Sequence, residues 1–532
     1  MKLDDAIAGG LTAPAATDKQ STALSHYRLY VLAFAVVYLV LFSLAIPTFV
    51  DEANSFNLAT EKSLPHLFSA LRAGADGSFP LYALVVYGWE KVFGASELSL
   101  RLNSGLFILL FIWHSSRRLE RYFGPAAMAL ALLFLLSNKI FVYYALQARF
   151  YGLSFFLFSL CYWSSWDLLE NKTVSLRCRL WHALMCGLLC LSHPLGLVYT
   201  FILGAIYLAF SALVKRLSLA NCLAFLGGPA MFLVWLPSFM HQRLVNPTYA
   251  AGPPGWQKYW QFAFFDSKTL FLTLFAGLAV LGILHWAFKP AVSRDIGSGA
   301  KENEPEHPGN YWLVAYSLAF VICLNGMLAL LDAVRIVPIY WMQAVRYLLV
   351  CWVAYAVIIG AIVAGTWRLL QESSKCYGIP VGRPLPFLVA LVGLLLLMES
   401  HWGEWFRARA SDVAYFSKIS RIANERHLDV VCNSHWDAFY LTTRTPTAHV
   451  SYLLADNFPF KRYLLEMSKY YPRPAPICPP GSLHYTNEYI FLTDSPREGR
   501  IIDPMRPESN PPHGNAGNLT PGSSGSSSRT GP

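Results

Sequence analysis

Four stretches of this chain, 31–50, 270–287, 311–331 and 345–367, come close to or exceed the roughly 18 apolar residues that a hydrocarbon core demands, with hardly a charge among them. In water such runs would bury nothing on their own, so they constrain the fold more than any other feature does. Composition agrees: 55% of the 532 residues are hydrophobic and 14% charged, where a soluble chain carries about a quarter charged residues. An ordinary cytosolic globule is excluded, and the chain reads as a polytopic integral membrane protein. The net charge of +10 does not point to nucleic acid, because Lys and Arg fall in short clusters between apolar runs and there set membrane orientation. Cys161, Cys186, Cys190, Cys222, Cys323 and Cys351 lie inside apolar runs, where the thiol is a small hydrophobe. No CxxC or Cys/His metal spacing occurs.

Spans are expected near 29–49, 102–116, 124–141, 152–168, 180–192, 195–213, 219–237, 270–287, 311–331, 344–366 and 384–399. That is an all-α polytopic bundle of about eleven transmembrane helices over 29–399, behind a short cytoplasmic segment 1–28. The segment 80–93 starts at a proline, is shorter than a bilayer and carries Glu90 and Lys91. If it does not span, the clusters Arg117/Arg118/Arg121, Lys172/Arg177/Arg179, Lys215/Arg216, Lys289/Arg294/Lys301 and Arg368/Lys375/Arg383 all share the side of the N-terminus. It is therefore read as an interfacial or re-entrant helix within the first outer loop, 50–100, and the C-terminus is expected outside. In the same loop Leu64, Leu67, Phe68 and Leu71 have the i, i+3, i+4, i+7 spacing of an amphipathic helix over 55–73 lying on the membrane.

Beyond the bundle, HLDVVCNSHW, TAHVSYLL and NEYIFLTD alternate like strands, so 400–503 is expected to be a small α/β extracytoplasmic domain. An oxidising location there would allow a Cys432–Cys478 disulfide. The tail 504–532 is rich in Pro, Gly, Ser and Asn, and is expected to be disordered.

Charges at a membrane edge are expensive and mark candidate chemistry. Asp51 and Glu52 follow the first span directly, and three arginines from distant positions are expected on the same face: Arg101, Arg149 and Arg346. Arginine's planar fork suits phosphate oxygens, so the layout fits an anionic phospholipid-like substrate beside a carboxylate base. A helix cap or solvated acid is the competing account of Asp51, and interfacial snorkelling that of each arginine. His193 lies in the hairpin between the fifth and sixth spans, where a lone His is more often a turn residue than a catalyst.

The runs VDEANSFNLA, FPLYALVVYGWEKVFGASELSLRLNSGLF, ALQARFYGLSFFL, LSHPLGL and VRYLL together resemble the GT-C membrane glycosyltransferases, in the branch holding the protein O-mannosyltransferases and the lipid A aminoarabinose transferase. The likeness covers about the first 370 residues as a pattern of spans and is specific mainly in the first 155. It implies a polyprenyl-phosphate sugar donor and an active site on the outer membrane face. It implies further that Asp51 is the catalytic acid of an Asp-Glu motif with Glu52 its neighbour. Arg101, Arg149, Tyr151, Arg346 and Tyr347 would then hold the donor phosphate, with Tyr82 and His193 as donor or acceptor contacts. Two features depart from the family pattern: Phe79-Pro80-Leu81-Tyr82 with Ser78 in front stands for a Pro-Pro-Leu-Tyr run often preceded by a lysine, and Asn54 stands where an arginine often follows the acid pair. No cofactor is expected. Two adjacent acids do not by themselves make a hard-cation site, although a divalent cation would bind there if anywhere. The lack of a large inserted lumenal domain favours a bacterial plasma membrane. The expected activity is sugar transfer with inversion to an extracytoplasmic acceptor, a cell-envelope glycan, lipid or protein. A transporter or flippase of lipid-linked glycans is the competing class, and it would want ionisable residues inside the spans.

Overall fold

A computed structural model describes residues 26–46, 52–245, 309–334, 344–377, 402–426, 429–432, 450–452 and 490–493. The chain divides into two compact units, 1–415 with 454–473, and 416–453 with 474–532. In the first unit the helices are α1 (His26–Ala45), α2 (Glu52–Ala59), α3 (Leu64–Ala73), α4 (Pro80–Phe93), α5 (Glu97–Phe123), α6 (Pro125–Ser137) and α7 (Lys139–Leu146). They continue through α8 (Tyr151–Glu170), α9 (Leu176–Ser192), α10 (Leu195–Leu213), α11 (Leu219–Ala224), α12 (Gly227–Val245), α13 (Gly309–Ala333), a 3-10 turn at Ala344–Leu348, and α14 (Cys351–Tyr377). A further helix, α15 (Trp402–Arg426), follows.

Helix α1 shows why this is a membrane protein. Val31, Ala35, Tyr38, Leu39 and Phe42 recur at helical spacing and are buried, while Val36, Val37, Val40, Leu41 and Leu44 on the other side are exposed. An exposed apolar face that long is stable only against lipid. Among the described residues six helical stretches are long and apolar enough to cross a bilayer: α1, α5, α10, α11 with α12, Tyr311–Leu331 of α13, and Cys351–Arg368 of α14. A seventh forms if α6 and residues 140–146, bent by 75° at the break, are one span. The expected spans 270–287 and 384–399 lie outside the described residues.

Two expected spans, 152–168 and 180–192, are helices (α8 and α9) that do not qualify alone, and α8 explains why. Phe156 and Asp167 apart, every residue of α8 is buried, so it faces helices on all sides and lipid on none. Its polar side chains meet polar partners: Tyr162 with Ser317 at 2.6 Å, Ser165 with Tyr316 at 2.7 Å, Ser164 with His182 at 2.7 Å, and Ser154 with Ser192 at 2.9 Å. Satisfied polar groups lower hydropathy without costing stability. Helix α12 approaches α9 so closely that a Cβ at Gly227 would sit 2.1 Å from the Ala183 carbonyl oxygen.

The single amphipathic helix expected over 55–73 is instead two. Ser63 caps α3 by accepting the His66 N–H at 3.3 Å, and Pro65 occupies its first turn, the position proline tolerates best. Leu67 and Leu71 are buried as the spacing requires, whereas Leu64 is exposed. In the second unit, short strands stand within each of the three strand-like segments: β1 (Asp429–Cys432), β2 (Val450–Tyr452) and β3 (Ile490–Thr493). The central β1 pairs parallel to β2, Val430 opposite Val450, and antiparallel to β3, Asp429 opposite Thr493. Cys478 lies outside the described residues, and so does the tail 504–532.

Candidate active site

Glu52 opens α2, where the positive end of the helix favours a carboxylate. Arg101 lies in the second turn of α5 and is completely buried; Glu52 is 3% exposed. The two form a bidentate pair, Nε to Oε1 at 2.9 Å and Nη2 to Oε2 at 2.7 Å. Arg101 Nη1 donates to the carbonyls of Ile46 at 2.8 Å and Ser43 at 3.2 Å, groups that the end of α1 leaves without intrahelical donors. Glu97 approaches Nη2 at 3.0 Å and is itself gripped by Arg409 through two contacts of 2.6 Å. Glu52 Oε1 also accepts the Ala148 N–H at 2.8 Å. In place of an arginine open to phosphate, the structure therefore has Arg101 as an internal counter-ion joining α1, α2 and α5, and Glu52 as its partner. Desolvating both charges is tolerable only because each oxygen and nitrogen is met. Asp51, one residue earlier, lies outside the described residues.

The turn from α7 to α8 carries the next residues. Ser104 donates to the Gln147 carbonyl at 2.7 Å, fixing the turn to α5. Arg149, 7% exposed, places Nη1 3.8 Å from Asp76 Oδ2 and its guanidinium carbon 5.5 Å from the Phe150 ring centre. Phe150 stacks on His193 at 4.1 Å and 19°, and His193 stacks on Tyr347 at 5.6 Å and 22°. Arg346, 5% exposed, lies 5.3 Å from the Tyr347 ring and 5.8 Å from that of Tyr151. The Tyr82 ring meets Phe150 edge-on at 6.3 Å, and its hydroxyl donates to Ser55 Oγ at 3.0 Å, joining α4 to α2. Four segments remote in sequence thus converge: α4, the 147–150 turn with the start of α8, the α9–α10 turn and the 344–348 turn. Arg149, Arg346, Tyr151, Tyr347, Tyr82 and His193 are brought together, whereas Arg101 and Glu52 form the buried tie beside them.

Two titrations in this cluster are displaced. His193 is pushed down to about 3, first by burial and then by Arg346 and Arg149, so it is neutral at ordinary pH. Its Nδ1 accepts the Leu195 N–H at 3.2 Å, which leaves the imidazole proton on Nε2. Burial pushes the Tyr82 phenol up, so it stays protonated. Among the described residues no group of three or more His, Cys, Asp or Glu side chains could hold a metal ion.

Sequence reading missed Asp76, which is 2% exposed. It lies in the 74–79 connection from α3 to α4, where Gly74 adopts φ +81° to end α3. Its one sequence signal is an acid in a Gly-Ala-Asp-Gly run just before Phe79-Pro80.

No family model matches the chain, and neither does any curated protein sequence. Among solved structures it is similar to ArnT from Cupriavidus metallidurans. The crystal structure bound to undecaprenyl phosphate is 16% identical, with 84% of this chain and 88% of that chain covered and a TM-score of 0.48. The apo crystal structure gives 15% identity over the same shares, also at a TM-score of 0.48.

Proposed function

We propose that this integral membrane protein is a glycosyltransferase that moves a sugar from a polyprenyl-phosphate donor to an extracytoplasmic acceptor, a cell-envelope glycan, lipid or protein, with inversion. The observation that carries this reading is the convergence of Arg149 and Arg346, each nearly buried, on an aromatic stack at the ends of membrane helices. That cluster adjoins the turn whose Ala148 N–H holds Glu52, the residue after Asp51.

In the proposed reaction Asp51 accepts the proton of the acceptor hydroxyl while its oxygen attacks the anomeric carbon in line. The bond from that carbon to the phosphate oxygen breaks, and the phosphate leaves with the electron pair. A lipid phosphate needs no protonation to leave, so catalysis consists largely of stabilising its growing charge, the task given to Arg149 and Arg346 with the His193 Nε2–H as a neutral donor. Glu52 and Arg101 position this machinery and do not touch the substrate. Beginning in the first turn of α10, just past His193, an apolar cavity of about 700 Å³ lined by Leu197, Phe201, Leu208, Phe225, Met327 and Leu331 offers room for isoprenoid chain.

Charged residues of the described membrane helices, such as Arg101, Arg118, Asp167 and Arg179, stand near helix ends. This arrangement suits chemistry at a membrane surface better than a polar passage through it. The proposed location is a bacterial plasma membrane, with the N-terminus cytoplasmic and the site and C-terminus outside.

The test is release of polyprenyl phosphate from a panel of polyprenyl-phosphate sugars by purified protein with envelope acceptor, wild type against Asp51→Asn. Release from one donor, lost in the variant, is expected and identifies the sugar. Equal release by both proteins would remove Asp51 as the base. No release from any donor by folded, substrate-binding protein would turn the reading toward transport.

A further inference from the structure

Gln242 lies in the last turn of α12, an element that contributes nothing else to the site, yet it is only 5% exposed. Its Nε2 is 3.0 Å from the Leu71 carbonyl oxygen, 3.2 Å from that of Asp76 and 3.3 Å from that of Ser78. An amide nitrogen has two hydrogens, so three acceptors saturate it by sharing. The 74–79 connection it grips lacks regular structure but, Gly77 apart, is buried: Ala75 is 0%, Asp76 2%, Ser78 1% and Phe79 1% exposed. Carbonyls in such a loop must find donors away from any ladder, and a side-chain amide from another helix is one of few ways to supply them.

The rest of α12 reinforces the grip. Phe79 stacks on Phe232 at 6.1 Å and meets Phe239 edge-on at 5.7 Å. Phe232, Phe239 and Gln242 recur at helical spacing on one face. His241 Nε2 lies 3.1 Å from the Ala73 carbonyl oxygen. At Gly74 a Cβ would come within 3.3 Å of the Val245 Cβ, so the helix and the loop fit without slack. What the clamp holds is the backbone of Asp76, whose carboxylate stands 3.8 Å from Arg149 Nη1.

We infer that Gln242 is a positioning residue for the donor-phosphate site: by fixing the carbonyls of residues 71, 76 and 78 it seats the Asp76 carboxylate beside Arg149, and so sets where that guanidinium meets a phosphate. The inference rests on the lipid-phosphate reading above. It makes α12, a helix that neither aligns with a catalytic motif nor lines the aromatic stack, a determinant of donor affinity.

The experiment measures polyprenyl phosphate binding to full-length protein in lipid nanodiscs, alongside the thermal midpoint. Wild type is compared with Gln242→Met, which keeps side-chain length without the N–H, with Asp76→Asn, and with the double variant. A displaced guanidinium should weaken binding about tenfold in Gln242→Met, with the midpoint within a few degrees of wild type. Because Gln242 acts through Asp76, the double variant should bind no worse than Asp76→Asn alone. Should Gln242→Met fail to fold, Gln242→Asn, whose amide is withdrawn by one methylene, should show an intermediate loss. Unchanged affinity in the folded Gln242 variant, or effects of the two substitutions that multiply, would overturn the inference while leaving the lipid-phosphate reading intact. Wild-type protein that does not bind polyprenyl phosphate would overturn both.

Discussion

Replacing Glu52 by Gln tests whether this acid is structural or chemical. In the wild type Arg101 is completely buried and its charge is met chiefly by the bidentate Glu52 carboxylate at 2.7 and 2.9 Å. Glutamine keeps the shape but removes the charge, and it turns one amide N–H toward either the guanidinium or the Ala148 N–H. Breaking a buried pair from one side costs about 3–5 kcal/mol. Glu97, 3.0 Å from Nη2, still offsets part of the stranded charge, so the lower end, about 3 kcal/mol, is expected. That corresponds to roughly a 150-fold fall in the folded-to-unfolded ratio. The assay is a denaturant titration in mixed micelles, read by intrinsic tryptophan fluorescence, with donor turnover measured on the fraction that remains folded. The double variant Glu52→Met/Arg101→Met, which strands no charge, should lose less stability than either single change. A Glu52→Gln protein that unfolds at the wild-type midpoint yet has no turnover would refute the reasoning and return Glu52 to the catalytic pair.

Two other outcomes follow from features described above. Gly227→Ala should separate α9 from α12, because its Cβ would lie 2.1 Å from the Ala183 carbonyl oxygen; a loss of about 1–3 kcal/mol is expected, against a gain of up to about 1 kcal/mol for Gly88→Ala inside α4, where nothing lies within 4 Å, and equal thermal midpoints for the two would contradict the packing. His193 holds a folded-state value lowered to about 3 from the ordinary 6.5, so it contributes stability above pH 6.5 that is lost as pH falls toward 3 and the unfolded chain takes up the proton first. The rate profile should consequently show no His193 inflection between pH 5 and 8, and a limb in that range that vanishes in His193→Gln would contradict the neutral imidazole.

How far the sequence could be read depended on the scale of the interaction involved. Helices α10 and α4 stand over the residues expected of them, since Pro194 and the Pro80–Gly94 interval mark their ends locally. The break between α2 and α3 was also local, in Ser63 and Pro65, but the apolar spacing that runs past it concealed it. For α8, burial on every side removed the periodicity that would have reported its setting. The candidate site was legible as a set of charges and aromatics and illegible as a set of roles. Nothing near Arg101 in sequence says that its partner stands 49 positions away, or that the C-terminal end of α1 takes its Nη1. Asp76 has no motif to betray it, because what makes it a site residue is an arginine 73 positions later, and what holds its backbone is a glutamine 166 positions later.

The Glu52 node also bears on how the protein is made. Its parts leave the ribosome in order: the α1 carbonyls and Glu52 first, Arg101 after a further 49 positions, and the Ala148 N–H 96 positions after Glu52. Until Arg101 is synthesised, a carboxylate destined for the protein interior has no counter-charge, and until the 147–149 turn arrives one of its oxygens still lacks its backbone donor. The node can therefore close only once residue 148 has left the ribosome, and insertion factors that shield polar groups at the membrane have the interval between the exit of residue 52 and that of residue 148 to cover.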